Sequence, residues 1–169
     1  LSVEAVEENL RERLDSYLGV VWATVGLFQA NNLDVNPEQL RKFRLAADWG
    51  DLNDGLAALV FVQKVPAKDR DTFEAKHQQR WRQFRIRPEP HPDQEVLYAV
   101  THVEPYSHGK GQALGYNPAT EPNRFNAMQT AAQTGKASAT DRLVLKSDEA
   151  LGLHRGAIVL YAPTYFSGA

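Results

Sequence analysis

Between Thr101 and Asn117 the chain reads THVEPYSHGKGQALGYN, which sets two histidines, a glutamate, a lysine and three glycines within seventeen residues. Such residues could hold a metal ion, cradle a phosphate or move a proton, and each chemistry demands its own spacing. His102-x-Glu104 resembles the front half of the zinc-deaminase signature, a zinc-binding histidine and a proton-moving glutamate, but the other half is a cysteine pair and the chain has no cysteine. A zinc site built from His102, Glu104 and His108 is sterically conceivable and would make the protein a metal-dependent hydrolase. Against it, Pro105 separates the donors and no His-x-x-x-His helix pair supports them. Gly109-Lys110-Gly111 suggests a phosphate cradle. A P-loop, however, needs a glycine five positions before the glycine of its Gly-Lys and a hydroxyl residue after the lysine, where Glu104 and Gly111 stand. No Gly-x-Ser-x-Gly elbow is present, and Ser138 has no paired base. His77 and His91 read as surface residues, and His154 joins no constellation. No catalytic set, cofactor motif or complete metal-ligand set emerges.

A binding wall is the other reading. Side chains alternate across a strand, so Tyr98, Val100, His102 and Glu104 are expected on one face. An apolar wall with polar groups at one end suits a small organic ligand. The competing interpretation is a sheet edge at which His102 and Glu104 simply face water.

These residues need a scaffold, and 169 residues can bury one sizeable core. The formal net charge of -2 offers no basic face of the kind nucleic acid requires. No apolar run approaches the roughly 20 residues of a membrane helix. The chain starts at Leu1 and its one methionine is Met128, so it is expected to be a processed chain or an excised piece.

The first thirty residues predict one long helix. Leu10, Leu14, Tyr17, Val21, Thr24 and Phe28 mark a heptad seam, which suits either packing on its own domain or a dimer stalk. Asn36-Pro37-Glu38-Gln39 predicts a capped helix running to about Ala47, broken by a loop over residues 50–55. The run 56–65 predicts a buried strand and 66–81 a helix. The three prolines of 87–93 exclude helix or central strand. A strand over 96–103, a helix opening at Thr120 and closed by Gly135, and strands over 141–146 and 156–163 complete an α+β chain on an antiparallel sheet. Arg70 and Arg124 stand at helix starts, where the helix dipole disfavours a cation. Each is therefore expected to have a specific partner, unless it is simply solvated.

Three blocks then become recognisable together: LVFVQKVPAKDRDTFEAKH (59–77), YAVTHVEPYSHGKGQALGYNPATEPNRFNAMQTAAQTGKASATDRLVL (98–145) and GAIVLYAPTY (156–165). Their order and spacing resemble the CHASE domain, the extracytoplasmic sensory module of membrane histidine kinases, diguanylate cyclases and adenylate cyclases, with the plant cytokinin receptors among its members. The motif residues are Val65, Arg70, Phe73, Glu74, Glu104, Pro105, Ala113, Leu114, Gly115, Arg124, Ala132, Thr134, Gly135, Pro163 and Tyr165. Asn117 departs from the pattern, standing where many members carry aspartate.

The resemblance implies a long N-terminal stalk or dimerisation helix (1–35) followed by a PAS-like ligand-binding sensor domain (36–169), an antiparallel sheet flanked by helices. It implies a homodimer joined through that helix, in the periplasmic or extracytoplasmic portion of an inner-membrane protein. A final strand and a membrane-proximal part would follow Ala169. Matched motif to motif, the ligand wall would comprise Phe61, His102, Glu104, Asn117, Met128, Thr140 and Tyr161. The ligand would be a small molecule, with no cofactor and no metal. A purely dimerising or protein-binding module is the remaining alternative.

Overall fold

The computed structural model describes residues 2–47, 55–106 and 111–165. In chain order its elements are helices α1 (Val3–Ala30) and α2 (Pro37–Ala46), strand β1 (Leu59–Pro66), α3 (Arg70–Gln78), β2 (Val96–Glu104), α4 (Pro122–Thr134), β3 (Ser138–Ala139), β4 (Leu143–Val144), α5 (Lys146–Ala150), β5 (Gly156–Ala157) and β6 (Leu160–Tyr161). This is an α+β chain. It divides into two compact units, one drawn from 1–57, 128–139 and 160–169 and the other from 58–127 and 140–159. The expected loop over 50–55 lies almost wholly outside the described residues.

In the first unit, Ser2 starts α1 by accepting the amide of Ala5 (3.2 Å). The heptad seam then divides in two. Leu10 and Leu14 remain 64% and 49% exposed, whereas Tyr17, Val21 and Thr24 are half-buried and Phe28 is buried. Only the second half of the seam therefore has something to pack against. Val35, Leu40 and Ala131 are buried in the same unit. The expected capping box opens α2: Asn36 accepts from the Gln39 amide and the Gln39 side chain accepts from the Asn36 amide, both at 2.8 Å. The unit also holds the antiparallel pair β3–β6 and a tie from the Tyr165 hydroxyl to the Ala132 carbonyl (2.7 Å).

The second unit is built on the antiparallel pair β1–β2. Val65, Phe84, Ile86, Leu97, Ala99, Val100, Val103 and Leu114 form its core. The helix expected over 66–81 is shorter: a 3-10 turn at 67–69 leads into α3, which ends at Gln78. The chain turns back there so that Phe84 and Ile86 can reach the core, and the Gln78 side-chain amide holds the turn by donating to the Phe84 carbonyl (2.9 Å). The strands expected over 141–146 and 156–163 are also cut down, to β4, β5 and β6. Lys146 to Ala150 forms α5 instead, because Asp148 and Glu149 fall in a first helical turn, where carboxylates are favoured.

Next to β2 the segment 115–117 is threaded between the strand and Arg87. Gly115 N–H donates to the Val100 carbonyl (2.8 Å), Val100 N–H to Tyr116 (3.0 Å), Arg87 N–H to Gly115 (2.9 Å) and Asn117 N–H to Arg87 (2.7 Å). Gly115 has φ +84°, and a Cβ there would stand 2.0 Å from the Arg85 carbonyl oxygen. No other residue can make this passage. The glycine of the Ala-Leu-Gly motif is thus a threading residue.

Candidate functional site

The β1–β2 register decides which side chains share a face. Phe61 faces His102 and Leu59 faces Glu104, but Val62 faces Val100, so Thr101 is an extra residue in β2. This β-bulge breaks the period-two alternation. Tyr98 and Val100 consequently lie on the face opposite His102 and Glu104, which corrects the four-residue wall expected from simple alternation. Phe61, His102 and Glu104 do share a face. The correction removes two members of that wall and supplies Phe61 as a cross-strand neighbour.

Phe61 is buried and meets the His102 ring edge-on, with centroids 5.7 Å apart at 72°. His102 is half-buried, and its Nδ1 is hydrogen-bonded to the hydroxyl of the bulged Thr101 (2.8 Å). The bulge thus fixes the orientation of the imidazole as well as the faces. Glu104 is a buried carboxylate one pleat further on, paired with Leu59. Together these are an aromatic ring, an oriented imidazole and a shielded carboxylate, able to stack on a ring and to exchange hydrogen bonds with a polar ligand.

The other expected residues divide by role. Asn117 is buried, and its side-chain oxygen accepts from the Ala119 amide (3.0 Å) while its carbonyl accepts the Thr120 hydroxyl (2.8 Å). It caps the 3-10 turn 118–120, a task that asparagine performs as well as aspartate. Thr140 is buried and exchanges two hydrogen bonds with Val159: its N–H donates to the carbonyl (2.9 Å) and its Oγ accepts from the amide (3.0 Å). Met128 on α4 and Tyr161 on β6 are half-buried and belong to the first unit. His108 lies outside the described residues. Among the described residues no group of three His, Asp or Glu side chains is placed to hold a metal ion.

Both arginines flagged at helix starts have partners. Arg70 grips Glu89 with two nitrogens (2.7 and 2.9 Å) and also donates to Glu74 on its own helix. Arg124 donates to Glu121, whose other oxygen takes Lys146 (2.8 Å). Burial pushes the Glu121 carboxyl up, but Lys146 and Arg124 more than offset that and hold it below its ordinary range. Both cations also flank the Tyr116 ring, Lys146 at 5.4 Å and Arg124 at 5.9 Å. The Tyr116 hydroxyl is buried and closes no hydrogen bond. Burial first, and the nearby Glu121 second, push it up to about 12. Sequence reasoning did not find this cluster, although Glu121-x-x-Arg124 has the i,i+3 spacing of a helical ion pair.

Among the described residues no helix is long and apolar enough to cross a membrane. No curated protein matches the chain. The family model of the CHASE domain matches residues 34–169, most of the sequence.

Proposed function

The chain belongs to the CHASE-domain family, the extracytoplasmic sensor modules of membrane-anchored signalling proteins, and from that premise we propose that it binds a small organic molecule in a PAS-like pocket and passes the event through its helices to a cytoplasmic output. The output would be a histidine kinase or a diguanylate cyclase. The observation that carries the reading is the side-by-side placement of Phe61, His102 and the buried Glu104 on one face of β1–β2. A buried carboxylate beside an oriented imidazole and an aromatic ring is a recognition surface that water alone does not require. Within the same unit Asn117 and Thr140 hold their own turns in place.

A ligand shifts such a protein only through a difference in affinity between its two states. The N-terminal half of α1, with Val3, Val6, Leu10 and Leu14 exposed, provides the partner-facing stripe through which two copies would join and report the shift.

Thermal melting against adenine derivatives, amino acids and carboxylates tests the ligand reading. The expected result is a stabilising shift from one class that is lost in Glu104→Gln and weakened in Phe61→Leu. A shift that survives Glu104→Gln unchanged removes the carboxylate from the site, and the absence of any shift across the panel refutes small-molecule sensing by these classes.

A further inference from the structure

Between Ala75 and Pro88 the chain carries Lys76, Arg80, Arg82, Arg85 and Arg87 and no carboxylate, in a protein whose net charge is -2. The fold turns this run into a surface. Phe84 and Ile86 are anchored in the core, so the chain between and around them is held while Arg80, Arg82 and Arg85 are exposed. Arg87 is committed inward by its guanidinium to the Gln112 and Leu114 carbonyls, which fixes the end of the segment. The next carboxylate along the chain, Glu89, gives both its oxygens to Arg70. Beside the arginines stands an aromatic pair. Trp81 stacks on Tyr106 (4.9 Å, 30°) with the Arg80 guanidinium 5.6 Å from its ring, and Tyr106 remains 47% exposed.

We infer that segment 80–87, with Tyr106, is a docking surface for a linear acidic glycan. Guanidinium groups read carboxylates and sulfates through paired hydrogen bonds, and an exposed aromatic ring offers a face to the C–H side of a pyranose. A chain of alternating sugar rings and anionic groups meets both demands at once. A membrane surface fits less well, because Trp81 is half-buried and stacked on Tyr106, which holds it back from inserting among acyl chains. This surface uses none of Phe61, His102 and Glu104, and the inference holds or fails independently of the ligand proposed there.

The test is binding of the 169-residue chain to immobilised heparin and to a polyuronate at low salt, with neutral dextran and phosphatidylglycerol vesicles alongside. The expected result is salt-sensitive binding to both acidic glycans and none to dextran. Arg82→Ser/Arg85→Ser should weaken it about tenfold, the worth of two exposed charge contacts, with an unchanged melting curve. Tyr106→Ala should weaken polyuronate binding without altering the salt dependence. Arg41→Ser/Lys42→Ser, at exposed positions on α2, should leave binding intact. No glycan binding, equal loss in the α2 variant, or tighter binding to the vesicles each overturns the inference.

Discussion

Gly115→Ala tests how much of the second unit depends on one threading residue. Two costs add. An alanine at φ +84° carries left-handed strain of about 1–2 kcal/mol. Its Cβ would also stand 2.0 Å from the Arg85 oxygen and 2.9 Å from the Arg85 carbonyl carbon, both backbone atoms that no rotamer change can move aside. Relief requires shifting 115–117 away from Arg85, which loosens the four backbone hydrogen bonds joining Val100, Gly115, Tyr116, Arg87 and Asn117. Losing even two of them adds about 1 kcal/mol each, for a total of roughly 3–4 kcal/mol. At ~2–4 °C per kcal/mol for a chain of this size, Tm should fall by roughly 10 °C. Gly135→Ala is the internal control, since Gly135 also has positive φ (+71°) but no atom within 4 Å of a built Cβ. It should therefore lose only the strain, about 1–2 kcal/mol. Urea unfolding of both variants, followed by circular dichroism, measures the difference. If the two fall within about 0.5 kcal/mol of each other, the close approach to Arg85 is not what makes Gly115 necessary.

The Glu121 cluster gives a second test. Glu121→Gln removes the carboxylate that joins the buried Arg124 to Lys146, which keeps Glu149, and should cost about 2 kcal/mol, between the exposed and buried limits. Adding Lys146→Met should recover part of that loss, and strict additivity would deny the coupling. The Tyr116 phenol is held protonated to about 12 against an ordinary 10, so the stability it contributes is complete below pH 10 and is lost as pH rises through 12. Tyr116→Phe should flatten alkaline unfolding in that window. It should cost little at neutral pH, because the hydroxyl it removes has no hydrogen bond. His77 stacks between Phe73 and Phe84 with Nδ1 on the Phe73 carbonyl, and burial lowers its pKa. Its contribution is complete above the usual imidazole value of about 6.5 and declines as pH falls below it, so His77→Phe should reduce the acid sensitivity of Tm. Leu10→Glu/Leu14→Glu should abolish any dimer seen by light scattering while leaving Tm of the monomer within about 1 °C, both positions being exposed. A dimer that persists in that variant is not held by α1.

Much was legible from local pattern because its causes are local. The α2 capping box needs only residues 36–39, and the long α1 follows from helical spacing of apolar residues. Gly135 at a helix end and Asn117 as a turn cap depend on backbone preferences that a few neighbouring residues express. The ordered motifs also identified the family, since the identity and spacing of motif residues survive in sequence whatever the packing does.

What sequence could not supply were long-range choices. The bulge at Thr101 arises from pairing β2 with β1 while 115–117 lies along Val100, and no pattern within β2 announces it. That single extra residue moved Tyr98 and Val100 off the expected wall and set Phe61 against His102. Helix α3 stopped at Gln78 because Phe84 and Ile86 are buried in the core, a demand of packing against which helical propensity is weak. Lys146, the last residue of the strand expected over 141–146, instead starts α5 and reaches Glu121 from there. Sequence determined the long helices, the β1 and β2 strands and which family this is. Tertiary structure decided which faces those elements share, because facing is set by pairing register and core burial between residues far apart in the chain.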